Sequence, residues 1–331
     1  MGETYAEVIT RYAQRAHLVA VADPEESRRE GLAGKYRARP CKDIEELLTC
    51  DGIDAVFIAT PHAQHAEPAL VSARAGKHLM IEKPMACSVA DCDAILESCK
   101  SGGLKCSVMY THRARACNAR AKEIIDSGKL GHVIHLRSYQ IVPRGMEVVP
   151  KWQHRPENLG LLFGHGIHNI DAARWFTGQE IKAVFAKCRN VDPAYAVEGT
   201  SDVLLTLMDG TVCYILCSFE FPKPGFPRSE IAARIVCEKG LIDVDAYGQA
   251  RMSYEGGPWE TVATQEPIDW AGKGFLDAVR LKAYLTNVQA FIDAIQGNLP
   301  LMISGWDGRQ AVAAALAAYE SSRQHKEILL A

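Results

Sequence analysis

The apolar positions of the chain change period repeatedly over its first third. Residues 6–16 follow a helical spacing, and 17–22 then run apolar and partly β-branched up to Asp23-Pro24. A charged helix over 25–36 and a short one over 44–48 precede an apolar strand over 55–59, which ends at Thr60-Pro61. Helix 67–75 passes through Gly76 into a strand over 77–81, and helix 90–101 leads to a strand over 105–109. Strands alternating with helices of this size predict βαβ units in a doubly wound parallel sheet.

After Arg113 the pattern changes. A helix over 117–127 is closed by Gly128, a strand follows over 133–141, and a polar loop over 143–160 leads to a helix over 166–176. From Lys182 onward the text is strand-like, with turns at 208–210, 223–225 and 238–240. Successive strands with hairpin-type turns predict an antiparallel α+β domain. Helices over 288–295 and 308–322 close the chain. The predicted division is a dinucleotide-binding domain over 1–112 and a substrate-binding and oligomerisation domain over 113–331, with the last helices available to pack back on the first domain.

Composition narrows the functional classes. The 331 residues are 48% hydrophobic and 23% charged, as expected of a globular protein with sizeable cores. A net charge of −3 without a basic block argues against a nucleic-acid surface. No apolar run approaches the roughly 20 residues that span a bilayer, and no signal peptide is visible at the start. The eleven cysteines are scattered without a CxxC pair, which fits buried small hydrophobes in a reducing cytoplasm and no metal set.

Two stretches carry chemistry. Asp23, at the end of an apolar strand, is where a dinucleotide-binding fold places an acid on the ribose hydroxyls. It favours NAD, and Arg28 and Arg29 soften the preference enough to keep NADP as a second option. Gly2 lies 21 residues before Asp23, the spacing of the last glycine of a GxGxxG loop. The first strand and the other glycines are then missing, so the chain is expected to be N-terminally truncated, as by a start codon placed too late. Lys83, in Glu82-Lys83-Pro84, follows a strand end, where an open α/β sheet binds its ligands. An isolated Glu-Lys-Pro is also what a surface turn looks like.

The combination of 54–61, Ala75-Gly76-Lys77-His78, Glu82-Lys83-Pro84, Gly128-Lys129-Leu130-Gly131, Gly166-Ile167-His168-Asn169-Ile170-Asp171 and Glu320-Ser321-Ser322 resembles the Gfo/Idh/MocA oxidoreductases. The resemblance runs the length of the chain. It implies a Rossmann-type domain, a second domain on a large open antiparallel sheet, and hydride transfer between NAD(P) and a sugar-like, inositol or polyol carbinol. It also implies a homodimer or homotetramer assembled through that sheet. Lys83 matches the family's catalytic lysine and His168 its acid/base histidine, while Asp171, one turn on, either orients His168 or packs. Gly2, Asp23, Thr60, Pro61, His62, His65, Glu82 and Lys83 are the expected cofactor contacts, and Tyr110, Arg113, Trp152, His154 and His165 the expected substrate contacts. One departure stands out. Many members carry an Asp four residues before the histidine, and here that position is Gly164, with His165 as a candidate substitute. Two other readings stay open: a non-catalytic dinucleotide-binding regulator, and an NAD-assisted glycosidase.

Overall fold

The computed structural model describes residues 1–227 and 230–330. It divides into two compact units, one made of Met1–Thr111 with Ile268–Arg309 and the other of His112–Pro267 with Gln310–Ala331.

The first unit opens with helix α1 (Gly2–Arg11), several residues earlier than the sequence pattern suggested. It continues through β1 (Ala20–Ala22), α2 (Glu26–Tyr36), β2 (Arg39–Cys41), α3 (Ile44–Leu48), β3 (Ala55–Ile58), α4 (Ala66–Arg74), β4 (His78–Ile81), α5 (Val89–Ser101) and β5 (Cys106–Val108). All strand pairs here are parallel, but they form two separate sheets, β1-β2 and β3-β4-β5, with no ladder joining them among the described residues. Strand β2 was not anticipated, because Arg39-Pro40-Cys41 has no apolar run to announce it. The core is built on α1, β3 and a long helix near the end of the chain. Tyr5, Val8 and Ile9 lie on one face of α1, at helical spacing, and join Met80, Met109, Leu281, Tyr284, Val288, Phe291 and Ile292. Phe57 of β3 meets Tyr5 and Phe291 edge-on at 5.5 and 5.7 Å.

In the second unit, α6 (Ala116–Asp126) precedes β6 (Val133–Ile141), and α7 (Ile167–Thr177) precedes β7 (Ile181–Arg189). Strands β8 (Thr200–Leu207), β9 (Val212–Ser218), β10 (Glu230–Cys237), β11 (Gly240–Asp245), β12 (Gln249–Tyr254) and β13 (Glu260–Thr264) follow. Helix α8 (Ala278–Gln296) belongs to the first unit and starts ten residues earlier than expected, at an Asp277 whose carboxylate caps Val279 and Arg280. Helix α9 (Gly305–Gln324) and β14 (Ile328–Leu329) end the chain. The sheet has the order β13-β12-β11-β10-β6-β9-β8-β7-β14. It is mixed rather than wholly antiparallel, because its central pair, β6 and β9, runs parallel. Pairing of two strands so far apart in the chain leaves no local signature.

The terminal serines have a clear structural task. The Ser321 and Ser322 hydroxyls accept the N–H groups of Ala186 and Cys188 on β7, at 2.9 and 2.8 Å. Among the described residues no helix is long and apolar enough to cross a membrane, and no group of three or more His, Cys, Asp or Glu is placed to hold a metal ion.

Phe291 is 1% exposed at the centre of the first unit's core. Phe291→Ala is expected to destabilise the chain by about 3–5 kcal/mol in urea unfolding, through lost transfer energy and the cavity left behind.

Candidate active site

In the first unit, the expected cofactor contacts other than Gly2 follow the carboxyl ends of the parallel strands β1, β3 and β4, the usual ligand edge of such strands. Asp23 follows β1, and its Oδ1 accepts the N–H of Glu25 at 2.8 Å, which sets the turn into α2. Its second oxygen remains available for a ribose hydroxyl. The two arginines nearby are drawn to glutamates, Arg28 to Glu25 at 2.8 Å and Arg29 to Glu26 and Glu30 at about the limit of an ion pair. An acid at this strand end would suit a 2′-hydroxyl and repel a 2′-phosphate. These residues fit NAD. Gly2 sits exposed at the first position of α1, where an added Cβ would meet nothing within 4 Å.

The ends of β3 and β4 are tied to each other through side chains. His65 is fully buried, with Nδ1 2.7 Å from the Pro84 carbonyl and Nε2 2.8 Å from the Thr60 carbonyl. Its ring joins the turn after β3 to the turn after β4. Both ring nitrogens are thereby engaged, and His65 holds the backbone at the two strand ends. Burial pushes its pKa down, while the two carbonyls favour the charged ring. His62, also buried, lies edge-on to it at 6.0 Å, and the exposed Thr60 hydroxyl donates to the Gln64 carbonyl.

Glu82 is likewise spoken for. One carboxylate oxygen accepts the Tyr5 hydroxyl at 2.9 Å and the other the N–H of Lys83 at 3.1 Å, so Glu82 fixes α1 to the turn after β4. Lys83 then stands between that carboxylate and a cis peptide bond to Pro84. Burial pushes its pKa below the ordinary lysine value, and the charge of Glu82 opposes the shift.

In the second unit two imidazoles are stacked. His168, on the first turn of α7, is 8% exposed and stacks on His112 with ring centroids 4.2 Å apart and planes 15° from parallel. Asp171, one turn further, is 1% exposed and accepts a two-pronged ion pair from Arg113, Nε to Oδ2 at 2.9 Å and Nη2 to Oδ1 at 2.6 Å. Such a fork is among the stronger charged contacts in proteins. Arg113, expected as a substrate contact, is thereby the partner of Asp171. Leu162–Gly166 form a π turn immediately ahead of α7, with Gly164 buried inside it. His165, on that turn, leans on Phe219 at 4.7 Å, and its Nε2 lies 2.7 Å from Gln153 Oε1. His154 stacks on Tyr195 at 5.2 Å, Trp152 is half-buried on the same short turn, and Tyr110, in the first unit, is fully buried. Asn169 donates to Ser138 Oγ and to the Tyr139 carbonyl, pinning α7 to β6.

Glu198, at the entrance to β8, was not marked from the sequence. Its Oε1 accepts the Leu162 N–H and the Tyr319 hydroxyl, each at 2.8 Å, which brings it to the π turn beside His165. A single loop glutamate in 194–200 carries no periodic or motif signal, so only the packed structure reveals it.

The chain matches two sequence patterns of one family. Residues 1–110 match the oxidoreductase family, NAD-binding Rossmann fold, and residues 118–243 match the Gfo/Idh/MocA C-terminal domain; together they cover more than two thirds of the chain. The chain is 29% identical over 326 residues to inositol 2-dehydrogenase 2 of Saccharopolyspora erythraea, spanning 97% of this chain and 90% of that one. It is 26% identical over 325 residues to myo-inositol 2-dehydrogenase of Thermotoga maritima, with 95% and 91% covered. In three dimensions it resembles an oxidoreductase from Agrobacterium radiobacter solved with NAD+, L-tartaric acid and magnesium, at a TM-score of 0.88 and 20% identity, with 99% and 96% of the two chains covered. The apo scyllo-inositol dehydrogenase of Lactobacillus casei superposes at 0.79 and 24%, covering 99% and 94%. Those two likenesses bear on the fold alone. With family patterns over both units, the chain belongs to the Gfo/Idh/MocA family of NAD-binding oxidoreductases.

Proposed function

We propose that the chain oxidises a secondary carbinol of a polyol, an inositol or a closely related sugar, to the ketone. The observation that carries this reading is Lys83, a lysine with a pKa depressed by burial at the end of β4, in the unit whose sequence matches the NAD-binding pattern. The inositol 2-dehydrogenases among the relatives support the substrate class.

Oxidation of a CH–OH centre releases a hydride from carbon and a proton from oxygen. NAD, when bound, is the hydride acceptor. The chain must hold the hydroxyl oxygen and take its proton. In this reading Asp23 holds the ribose, and Lys83 polarises the substrate oxygen. A buried ammonium interacts more strongly with a developing alkoxide than a hydrated one. His168 takes the proton, since imidazole titrates near neutrality and the His112 stack fixes its ring plane. Arg113 and Asp171 form a positioning pair beneath it. Gly164 offers no carboxylate, and His165 is held by Gln153, so His165 joins Trp152 and His154 as a substrate contact in the proposal. The homodimer or homotetramer is also proposed, through the sheet face where the exposed Phe185 and Leu204 lie opposite each other on β7 and β8.

Incubation with NAD+ and a panel of inositols and other polyols, following reduced cofactor, tests the reading; cofactor binding without turnover of any polyol would sink it. With the reactive polyol in hand, Lys83→Met and His168→Ala are each expected to lower kcat by about 10²–10⁴-fold. NAD+ affinity, read by calorimetry, should stay within about twofold, because neither change touches the ribose acid. Asp171→Ala leaves the Arg113 guanidinium buried without its carboxylate, so a loss of about 3–5 kcal/mol is expected in chemical denaturation. Asp23→Ser removes the acid from the ribose position and should shift the NAD/NADP preference toward NADP by at least about tenfold in kcat/KM.

A further inference from the structure

The helix that carries His168 starts without a side-chain cap of its own. Neither the π turn Leu162–Gly166 nor α7 behind it has a capping side chain at its N-terminal residue. The first N–H groups of a helical segment have no partner within it and must find one elsewhere. Here the partner comes from a distant part of the same unit. Glu198 Oε1 accepts the Leu162 N–H at 2.8 Å. The same oxygen accepts the Tyr319 hydroxyl at 2.8 Å, and the Tyr319 oxygen in turn accepts the Phe163 N–H at 3.2 Å. The opening of the turn is thus met by two side chains that reach it from β8's entrance and from α9.

The surroundings are shaped to this arrangement. Gly160 has φ +151°, and a Cβ added there would stand 1.8 Å from Glu198 Oε2, so glycine alone leaves room for the carboxylate. Cys217 of β9 places its Sγ 3.7 Å from the Leu161 carbonyl, holding the chain just before the turn. Loss of solvent pushes the Glu198 carboxyl up to about 7, against the N–H and hydroxyl bonds that pull it down. The carboxylate meets the turn directly at the Leu162 N–H and, through the Tyr319 hydroxyl, at the Phe163 N–H, which points to a task on that turn.

We propose that Glu198 is a positioning residue for His168: its carboxylate, with the Tyr319 hydroxyl, supplies the missing cap of the π turn and so sets where the helix bearing His165 and His168 begins. The role rests on the reading that His168 handles the substrate proton. A helix start that loses its cap frays over its first turn, and His168 lies within a turn and a half of Leu162.

Hydrogen exchange with mass spectrometry on the full chain tests the cap without any substrate. Glu198→Ala is expected to speed exchange in a peptide covering 160–168 by at least about tenfold, with little change in peptides from the first unit, whereas Glu198→Gln, whose amide oxygen still accepts, should stay within about threefold. Turnover of myo-inositol with NAD+ tests the positioning. Glu198→Ala should lower kcat at least about tenfold with the KM for NAD+ within about twofold, and Glu198→Gln should restore most of the rate. Unchanged exchange in Glu198→Ala overturns the proposal, and so does faster exchange with an unchanged kcat. Should the wild-type chain oxidise no polyol, the proposed reaction falls, while the exchange result still decides whether Glu198 caps the turn.

Discussion

The carboxylate of Glu82 is the fixing on which the nucleotide-binding unit depends. One oxygen holds Tyr5 of α1 and the other holds the backbone of Lys83. Hydrogen bonds to a charged acceptor are worth about 1.5–3 kcal/mol each, and a buried carboxylate stripped of them would be far more costly. Glu82 therefore has few alternative placements, and neither do the residues it grips. Tyr5 also fills the core beside Phe57 and Tyr284, so the same contact joins the apolar packing of α1 to the turn after β4. His65 adds a second fixing between the turns after β3 and β4.

The second unit uses buried polar ties in a comparable way. Arg113 and Asp171 lock the start of α7 to the segment before α6, Asn169 ties it to β6, and Glu198 with Tyr319 meets its uncapped start. Each tie satisfies groups that would otherwise be buried without partners, and each acts on the same two helical turns. Rigid placement of an acid/base side chain requires such support, because misplacement by about 1 Å can cost a hundredfold in rate.

Much of this was legible in the chain and some was not. The strand–helix alternation over the first 109 residues read through because apolar runs and turn residues agree locally. Strand β6 was placed at its observed bounds for the same reason. The parallel pairing of β6 with β9 and the short strand β2 were not legible, since neither leaves a local periodicity. Lys83 and His168 stood out in the sequence because they sit in dense motifs. His65 and Glu82 were marked as cofactor contacts; the packing adds that His65 bonds two backbone carbonyls and Glu82 the Tyr5 hydroxyl and the Lys83 N–H.

The sequence by itself determined the class of fold and the residue types available for hydride chemistry. These follow from short-range rules: side-chain period, turn composition and the charge at a strand end. The tertiary structure decided what each polar side chain is bound to. It made Asp171 the partner of Arg113, turned His65 into a bridge between two strand ends, and brought Glu198 to a turn 36 residues earlier in the chain. The reason is that a buried polar group must be paired, and which partner it finds depends on how distant segments pack, a relation that no local stretch of sequence contains.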